Sequence, residues 1–583
     1  MKYCNKYCEI AHWNVHRWPC NSEVRKEEWE PSAWVERRKP TWECKEELSR
    51  DIKDMRDYWS SIPAVDVLKL LNNEGLTGVQ VQDDLRVLLC GDQDLNTAIK
   101  TVVDLPVSFA GNLEIVLNDE SLDTTARNAI ILLSPVFWPT NAPSMMLHIW
   151  YSCLIPQQMF TELQHILPEI ESIITMLEAR NQPEHEIYVH EWTCNCSNGY
   201  VINISLRINK WKYVALFLRG NEDLTSKEAI QIRRLHINGT FRKDYQERDL
   251  WNKNPSWRLS RMRFNEDGIL MPFAASCEAF DTPNPTLWSQ GYKWPLYWNA
   301  DPLHEWNFGE VMEKYPTSND LHGNLHYFLV DLLTRFCPPL HAEINARERR
   351  FTVTRGHCYE LPLLHKAEDS SLKSTTKYDR IYVSCAFHEF TTFSRLLKSK
   401  SQNPHATLLT YHKEAFTHAT GSQHGCSPQF LQLLDPDLKR AASYYVNSKT
   451  PGGPIGEKST PHKDILNHQS FARRYKELFE TWVLESKLIE RAKARGWTKE
   501  TQTIVLEEWP CRLKDGASQL EFEAVITNNV SNVCDRFLEC NRGGDGEGKF
   551  EIRMSDELEG FNALCERYTG EGGFLGKLKQ YGL

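Results

Sequence analysis

Four residues near the start of the chain have the types and spacing to hold a metal ion. Tyr3 to Cys20 reads YCNKYCEIAHWNVHRWPC, which sets Cys4-x3-Cys8-x7-His16-x3-Cys20. Thiolates and a neutral imidazole at such intervals suit tetrahedral zinc. A second candidate lies in Leu85 to Asp119, where Gly91 follows one apolar run and Asp119 closes another. Glycine lets backbone approach a ligand closely, and an acid at the end of the next strand can accept ribose hydroxyls. A dinucleotide would want more than one glycine, and Asp92 and Asp94 would repel its pyrophosphate, so the ligand that fits better is S-adenosylmethionine, which carries no phosphate. A competing reading makes the same acids structural: Asp92 or Asp94 caps the helix Leu95 to Val103, and Asp119 caps Leu122 to Leu133. The capping reading outweighs the binding site.

The elements that would position Gly91 and Asp119 follow from the pattern. Val87 to Cys90 is an apolar strand, Gly91-Asp92 a tight turn, Leu95 to Val103 a helix, and Leu113 to Leu117 a second strand. The same grammar resumes far downstream. Phe351 to Thr354 reads as a third strand ahead of Gly356-His357, and Tyr378 to Ser384 as a fourth with a Y-D-x-I pattern. In methyltransferase folds the third strand ends in an acid that contacts adenine, and His357 stands there instead. The expected fold class is α/β. It comprises a Rossmann-like, methyltransferase-like sheet with a long insertion between its second and third strands, a mainly helical α+β C-terminal region and a small N-terminal zinc-finger remnant. Strands near 87, 115, 352 and 382 should share one sheet.

Two stretches resemble known families. With Tyr3 and Trp13, the Cys4-Cys8-His16-Cys20 spacing resembles the second half of a MYND-type zinc finger, whose eight interleaved ligands hold two zinc ions. On that pairing Cys4 and Cys8 belong to one site, and His16 and Cys20 to the other. The four preceding cysteines of the pattern are absent, so the resemblance implies zinc in a partial site. The stretches LRVLLCGDQDLN, LEIVLNDESLDTTARNAIILL and MMLHIWYS resemble a domain of unknown function. It occurs in fungal proteins that also carry a MYND finger, and in the third dynein axonemal assembly factor. The resemblance continues through RRLHINGTFRKDYQERDL, PSWRLSRMRFNEDGILMPF, ADPLHEW and SQNPHATLLT, covering roughly residues 1 to 420. MYND fingers usually bind peptides, which implies protein partners. The axonemal role does not transfer to a fungus without cilia.

Bulk properties narrow the classes. A chain of 583 residues is too long for one ordinary core. Six regions are expected: a finger at 1–22, an aromatic connector at 23–58, a first sheet half at 59–163, a helical, Trp-rich insertion at 164–345, a second sheet half at 346–450, and a C-terminal region at 451–583. Net charge is −10 with both signs interspersed, which argues against a nucleic-acid partner. No N-terminal signal and no run of 18 apolar residues occurs, which argues against a membrane partner and for a cytoplasmic protein, with the nucleus as the other compartment.

Other motifs fail on spacing. His185-Glu186 with His190 is HExxxH, which does not put both histidines on one helical face. His190, Cys194 and Cys196 fit a β-hairpin turning at Ser197-Asn198-Gly199 better than a metal cluster. Gly543-x4-Gly548-Lys549 lacks the Ser/Thr of a P-loop, since Phe550 follows. No catalytic constellation can be assembled from the sequence. The expected function is a non-catalytic protein-interaction or assembly scaffold on a degenerate Rossmann-like fold. The alternatives are an S-adenosylmethionine-dependent methyltransferase and a zinc-dependent transcriptional adaptor.

Overall fold

The computed structural model describes residues 21–41, most of 58–412 and two short strands near 498 and 539, with a few isolated positions elsewhere. Among the connections outside the described residues are 75–83, 180–188, 338–347, 357–360, 362–375 and 384–392. Phe471, Tyr475, Leu478, Trp482 and Leu488 fall on one face of a long amphipathic helix expected over Ile465 to Arg495, which also lies outside the described residues apart from Glu490.

The fold is mixed α/β around one large, mostly parallel sheet. Its first strands, β1 (Leu85–Cys90) and β2 (Leu113–Asp119), flank the helix α1 (Leu95–Val103). A two-residue strand, β3 (Leu154–Ile155), pairs with β6 (Thr282–Pro283) in a small separate ladder. The remaining strands are β4 (His190–Asn195), β5 (Tyr200–Leu206), β7 (Arg349–Arg355), β8 (Arg380–Val383), β9 (Thr407–His412), β10 (Trp497–Lys499) and β11 (Arg536–Arg542). The main sheet runs β10-β11-β9-β8-β1-β2-β7-β5-β4, and β9 through β5 are all parallel. Leu88 pairs with both Val116 and Ile381, and Ile115 with Phe351, so the four anticipated strands do lie in one sheet. Strands buried on both faces need no polar alternation. Accordingly, Val87–Cys90 and Ile115–Asp119 are buried without interruption.

Helices cover the sheet. After β2 come α2 (Leu122–Phe137) and α3 (Ala142–Tyr151), which pack on each other. The segment between β2 and β7 is more than a helical insertion. It contributes the hairpin β4–β5 to the sheet edge, with Gly199 supplying the positive φ of +82°. It also holds α4 (Leu167–Ala179), α5 (Ile208–Arg219), α6 (Ser226–Ile237), α7 (Lys243–Trp251), α8 (Pro255–Asp267) and α9 (Leu321–Phe336). Within the insertion, residues 225–310 are rich in Trp, Pro and charge and read as an irregular, aromatic-packed stretch, yet 226–267 is mostly helical. The apolar period is missing there because α7 and α8 bury Asp244, Arg258 and Arg261 where apolar side chains would ordinarily stand. Within the C-terminal region, expected to be mainly helical α+β, the described strands are β11, antiparallel to β9, and β10, antiparallel to β11 and so running parallel to β9.

The insertion also caps α3. The last carbonyls of a helix lack partners within it. Asn284 Nδ2 donates to the carbonyls of His148, Ile149 and Ser152 at 3.2, 2.9 and 2.8 Å. Thr286 Oγ1 also donates to Ile149 O, and Trp288 Nε1 to Cys153 O, both at 2.9 Å.

The Y-D-x-I pattern has a structural meaning at the opposite end of the strands from the candidate site. Asp379, buried just before β8, accepts from Arg86 N at 2.9 Å and from Lys398 Nζ and Asn403 Nδ2, both at 2.7 Å. Its backbone bonds Arg86 and Thr407, so one residue ties together the starts of β1, β8 and β9. Removing a buried carboxylate that satisfies three donors leaves a cation and two amides without it. D379A should lower unfolding stability by about 3 kcal/mol in urea titration. A loss below about 0.5 kcal/mol, the scale of ordinary surface substitutions, would refute the clasp.

Candidate functional site

The sheet order reverses direction at β1, which has β2 on one side and β8 on the other. In open α/β sheets, ligands bind at such a reversal, outside the carboxyl ends of the strands. Gly91 and Asp119 both sit there. Gly91 N donates to Asn118 O at 3.2 Å and Gly356 N to Asp119 O at 3.1 Å, which extends the ladder past the strand ends. Between them, Asn118 Nδ2 donates to Gly356 O at 2.9 Å, and its Oδ1 accepts from Thr354 Oγ1 at 3.0 Å. The sulfur of Cys90 lies 3.6 Å from the same amide nitrogen. Side chains of β1, β2 and β7 therefore hydrogen-bond one another across the strand tips.

Asp119 is 4% exposed, and its Oδ1 accepts from Ser121 N at 2.6 Å. That bond closes a turn which lets Ser121 cap α2, its hydroxyl accepting from Thr124 N. The capping expectation needs correction in its details. Asp119 supports the cap from two residues upstream, and Asp94 stands at the N-cap of α1 without a side-chain cap bond. A ribose acceptor needs a carboxylate turned outward, whereas that of Asp119 is buried and engaged in the turn. The described residues at the tips of β1 and β2 fit S-adenosylmethionine poorly. Asp92 and His357 lie outside the described residues.

One constellation was invisible in the sequence because its members are 62 residues apart and come from three elements. Ser260 Oγ lies 3.2 Å from His322 Nδ1, and His322 Nε2 lies 3.2 Å from Asp301 Oδ1. Serine, histidine and aspartate in a row invite a nucleophilic reading. Three facts oppose it. All three residues are buried. Asp301 also faces Arg261, whose guanidinium, together with His322, holds the buried carboxyl well below the usual carboxylate range. Finally, Ser260 has one proton, and its bond to the acceptor Asp320 Oδ1 at 2.7 Å uses it. The hydroxyl is an acceptor toward His322 and cannot be activated by it. This is a clasp between α8, α9 and the segment at 301, stacked beneath Phe264.

The deepest polar group is built around Arg127 and Glu305. Arg127, on α2, donates to Thr286 O at 2.7 Å and Trp150 O at 2.9 Å, with its guanidinium 4.7 Å from the Tyr58 ring centroid. Burial lowers its pKa to about 10. Glu305, 1% exposed, accepts from Ser60 N at 2.7 Å, and its other carboxylate oxygen has no hydrogen-bond partner among the described residues. Burial raises its pKa to about 8.

The zinc candidates Cys4, Cys8, His16 and Cys20 lie outside the described residues. Among the described residues, no three His, Cys, Asp or Glu side chains are grouped to hold a metal. The stretch that follows them is anchored to the insertion. Buried Arg258 donates to the carbonyls of Val24 and Lys26 at 2.9 and 3.0 Å, with its guanidinium 5.2 Å from the Trp29 ring. Trp34 meets Trp251 edge-on at 4.9 Å, and Arg38 forks onto Asp244.

Residues 58–155 match a domain of unknown function (DUF4470), the domain found in proteins like the third dynein axonemal assembly factor. The match runs from Tyr58 through Ile155, the end of β3, and so takes in Arg127, Trp150, Gly91 and Asp119. Searches of curated proteins and of solved structures returned no match.

Glu305 gives this buried group a pH signature. Its carboxyl keeps a proton in the folded protein up to about pH 8 and would lose it near 4.5 when unfolded. Between those values the folded state binds the extra proton, so stability falls as pH rises, by about 1.4 kcal/mol per pH unit from this group. Below pH 4.5 the contribution is fully present, and above 8 it is gone. Urea midpoints at pH 5, 6.5 and 8 should show this slope in the wild type and a flatter one in E305Q. Equal slopes would show that Glu305 does not titrate in that window.

Proposed function

We propose that the protein is a non-catalytic, intracellular interaction scaffold built on a Rossmann-like sheet that has lost its cofactor. The observation that carries this reading is the state of the strand tips. Asn118, Thr354 and Cys90 engage one another, and the Asp119 carboxylate is buried in the turn that caps α2. The fold reading is supported by β7-β2-β1-β8-β9, a doubly wound order when numbered along the chain. The scaffold presents an N-terminal module of MYND type, as in fungal proteins that carry the same domain, and binds partner proteins in the cytoplasm or nucleus. Zinc, held through Cys4, Cys8, His16 and Cys20, would order that module without taking part in chemistry. Among the described residues no helix is long and apolar enough to cross a membrane.

The rival is an S-adenosylmethionine-dependent methyltransferase, favoured by one specific observation. Beyond β9 the sheet continues with antiparallel β11 and then β10, the edge reversal of methyltransferase sheets. Thermal shift with S-adenosylhomocysteine separates the two. A ligand at a hundredfold its Kd stabilises by about 2.7 kcal/mol. The scaffold reading expects no rise in Tm at millimolar ligand, and a rise of several degrees would overturn it in favour of the enzyme. Tagged protein purified from its own cells should carry a stoichiometric protein partner and bound zinc. Zinc near zero would remove the metal from the proposal.

A further inference from the structure

A cluster of cations stands at the carboxyl edge of the sheet, on the side that the insertion adds. Ser205 pairs with Thr354 and Asp119 with Arg355, so Arg355 lies between the end of β2 and the end of β5. Arg207 follows β5 directly, and Lys210 is in the first turn of α5. All three side chains are half-buried. Among the described residues, neither Arg207 nor Lys210 has an acid within ion-pair distance, and the one bond of Arg355 is from Nε to the carbonyl of Glu120 at 3.0 Å. Two of the neighbouring acids are engaged elsewhere, Asp119 with Ser121 N and Glu191 with the hydroxyl of Ser205 at 2.9 Å. The cations repel one another as well. Burial first, then Arg355 and Arg207, lowers the pKa of Lys210. Other exposed cations on the same helix and nearby are paired, Lys212 with Glu178 and Arg219 with Glu171.

Among the described residues these three close cations have no acid in ion-pair contact, and in a chain whose net charge is −10 they form a local positive patch that suits a negatively charged partner. We infer that Arg207, Lys210 and Arg355 form a docking patch for an acidic segment of a protein partner. The side chains line an edge of the molecule at partial exposure, which suits carboxylates laid across a surface. Arg355 keeps its Nη donors for a bidentate contact, while Lys210 acts as a point charge beside it. The inference rests on the scaffold reading and names the chemistry of one partner.

The test uses the full chain and a fluorescein-labelled decaglutamate peptide, with decaglutamine as the neutral control. Anisotropy at low salt should show decaglutamate binding that weakens as salt is raised. R207Q/K210Q/R355Q should bind at least tenfold more weakly, with an unchanged urea midpoint. K39Q/K227Q/K243Q, which removes three cations elsewhere, should bind like the wild type. K210E alone provides the milder variant should the triple one unfold, and it should also weaken binding severalfold. Unchanged affinity in a folded patch variant would overturn the proposal. So would displacement of the peptide by millimolar inorganic phosphate, which would assign the patch to small oxyanions. If a partner still co-purifies while the patch proves inert, the patch alone fails. If no partner co-purifies at all, the scaffold reading fails.

Discussion

Arg127 carries a charge into the centre of the protein and meets it with carbonyl dipoles, a hydroxyl and an aromatic face. Among the described residues no carboxylate hydrogen-bonds it, and taking a guanidinium out of water costs several kcal/mol unless its donors are satisfied. Its donors reach Trp150 O at the end of α3 and both oxygens of Thr286 in the insertion. The same carbonyl of Trp150 accepts from Trp59 Nε1 at 2.9 Å. One side chain of the helix after β2 thereby fixes where the insertion lies, and the insertion returns the constraint by satisfying the open end of α3. Glu305 and Trp306, which meet Tyr151, extend the joint to the far end of that segment. The 58–155 segment and the insertion thus share one polar interior. Neither would be satisfied without the other.

This interdependence bears on what the strand tips can do. A working cofactor crevice keeps polar groups open for the ligand, at some cost to stability. Here the equivalent groups are paired within the protein, and the two clusters with apparent chemistry, around Ser260 and around Glu305, are closed to solvent. Among the described residues, cations without an acid in contact stand instead where β7 meets the strands that the insertion adds. The architecture has kept the topology of a ligand-binding sheet while its polar residues serve cohesion inside and contact outside.

The parts of the fold that were legible in the sequence are those where local pattern and tertiary role coincide. Val87 to Cys90, the helix Leu95–Val103 and the Tyr378-Asp379-Arg380-Ile381 run read correctly because buried parallel strands are continuous apolar stretches and the helix has one apolar face. The insertion was harder to read. Its helices bury Arg258, Arg261 and Asp244 in long-range hydrogen bonds that leave no periodic trace. Strands β9, β10 and β11 were missed for a related reason, since Thr407–His412 and Arg536–Arg542 mix polar residues into their runs without a strict alternation. Asp119 was legible as an important acid, but whether it faced a ligand or its own turn depended on Ser121 and on three-dimensional closure. The Ser260–His322–Asp301 alignment and the Arg207–Lys210–Arg355 patch depend wholly on distant segments meeting.

The placement of the insertion has a consequence for how the protein is made. Ile115 pairs with Phe351, 236 residues later (351 − 115). Loop-closure entropy rises only logarithmically, so the finished fold tolerates the interval at small thermodynamic cost. Time is another matter. At about 5–20 residues per second, β7 leaves the ribosome roughly 12 to 47 s after β2. The hairpin β4–β5 emerges in between, but it pairs with β7 and not with β2. For that interval the apolar edge of β2 has no partner strand, and two edges wait for the same arrival. The free edge of β1 waits longer still, since its partner β8 follows β7 in the chain, so both strands around Gly91 stay open on one side for part of the synthesis.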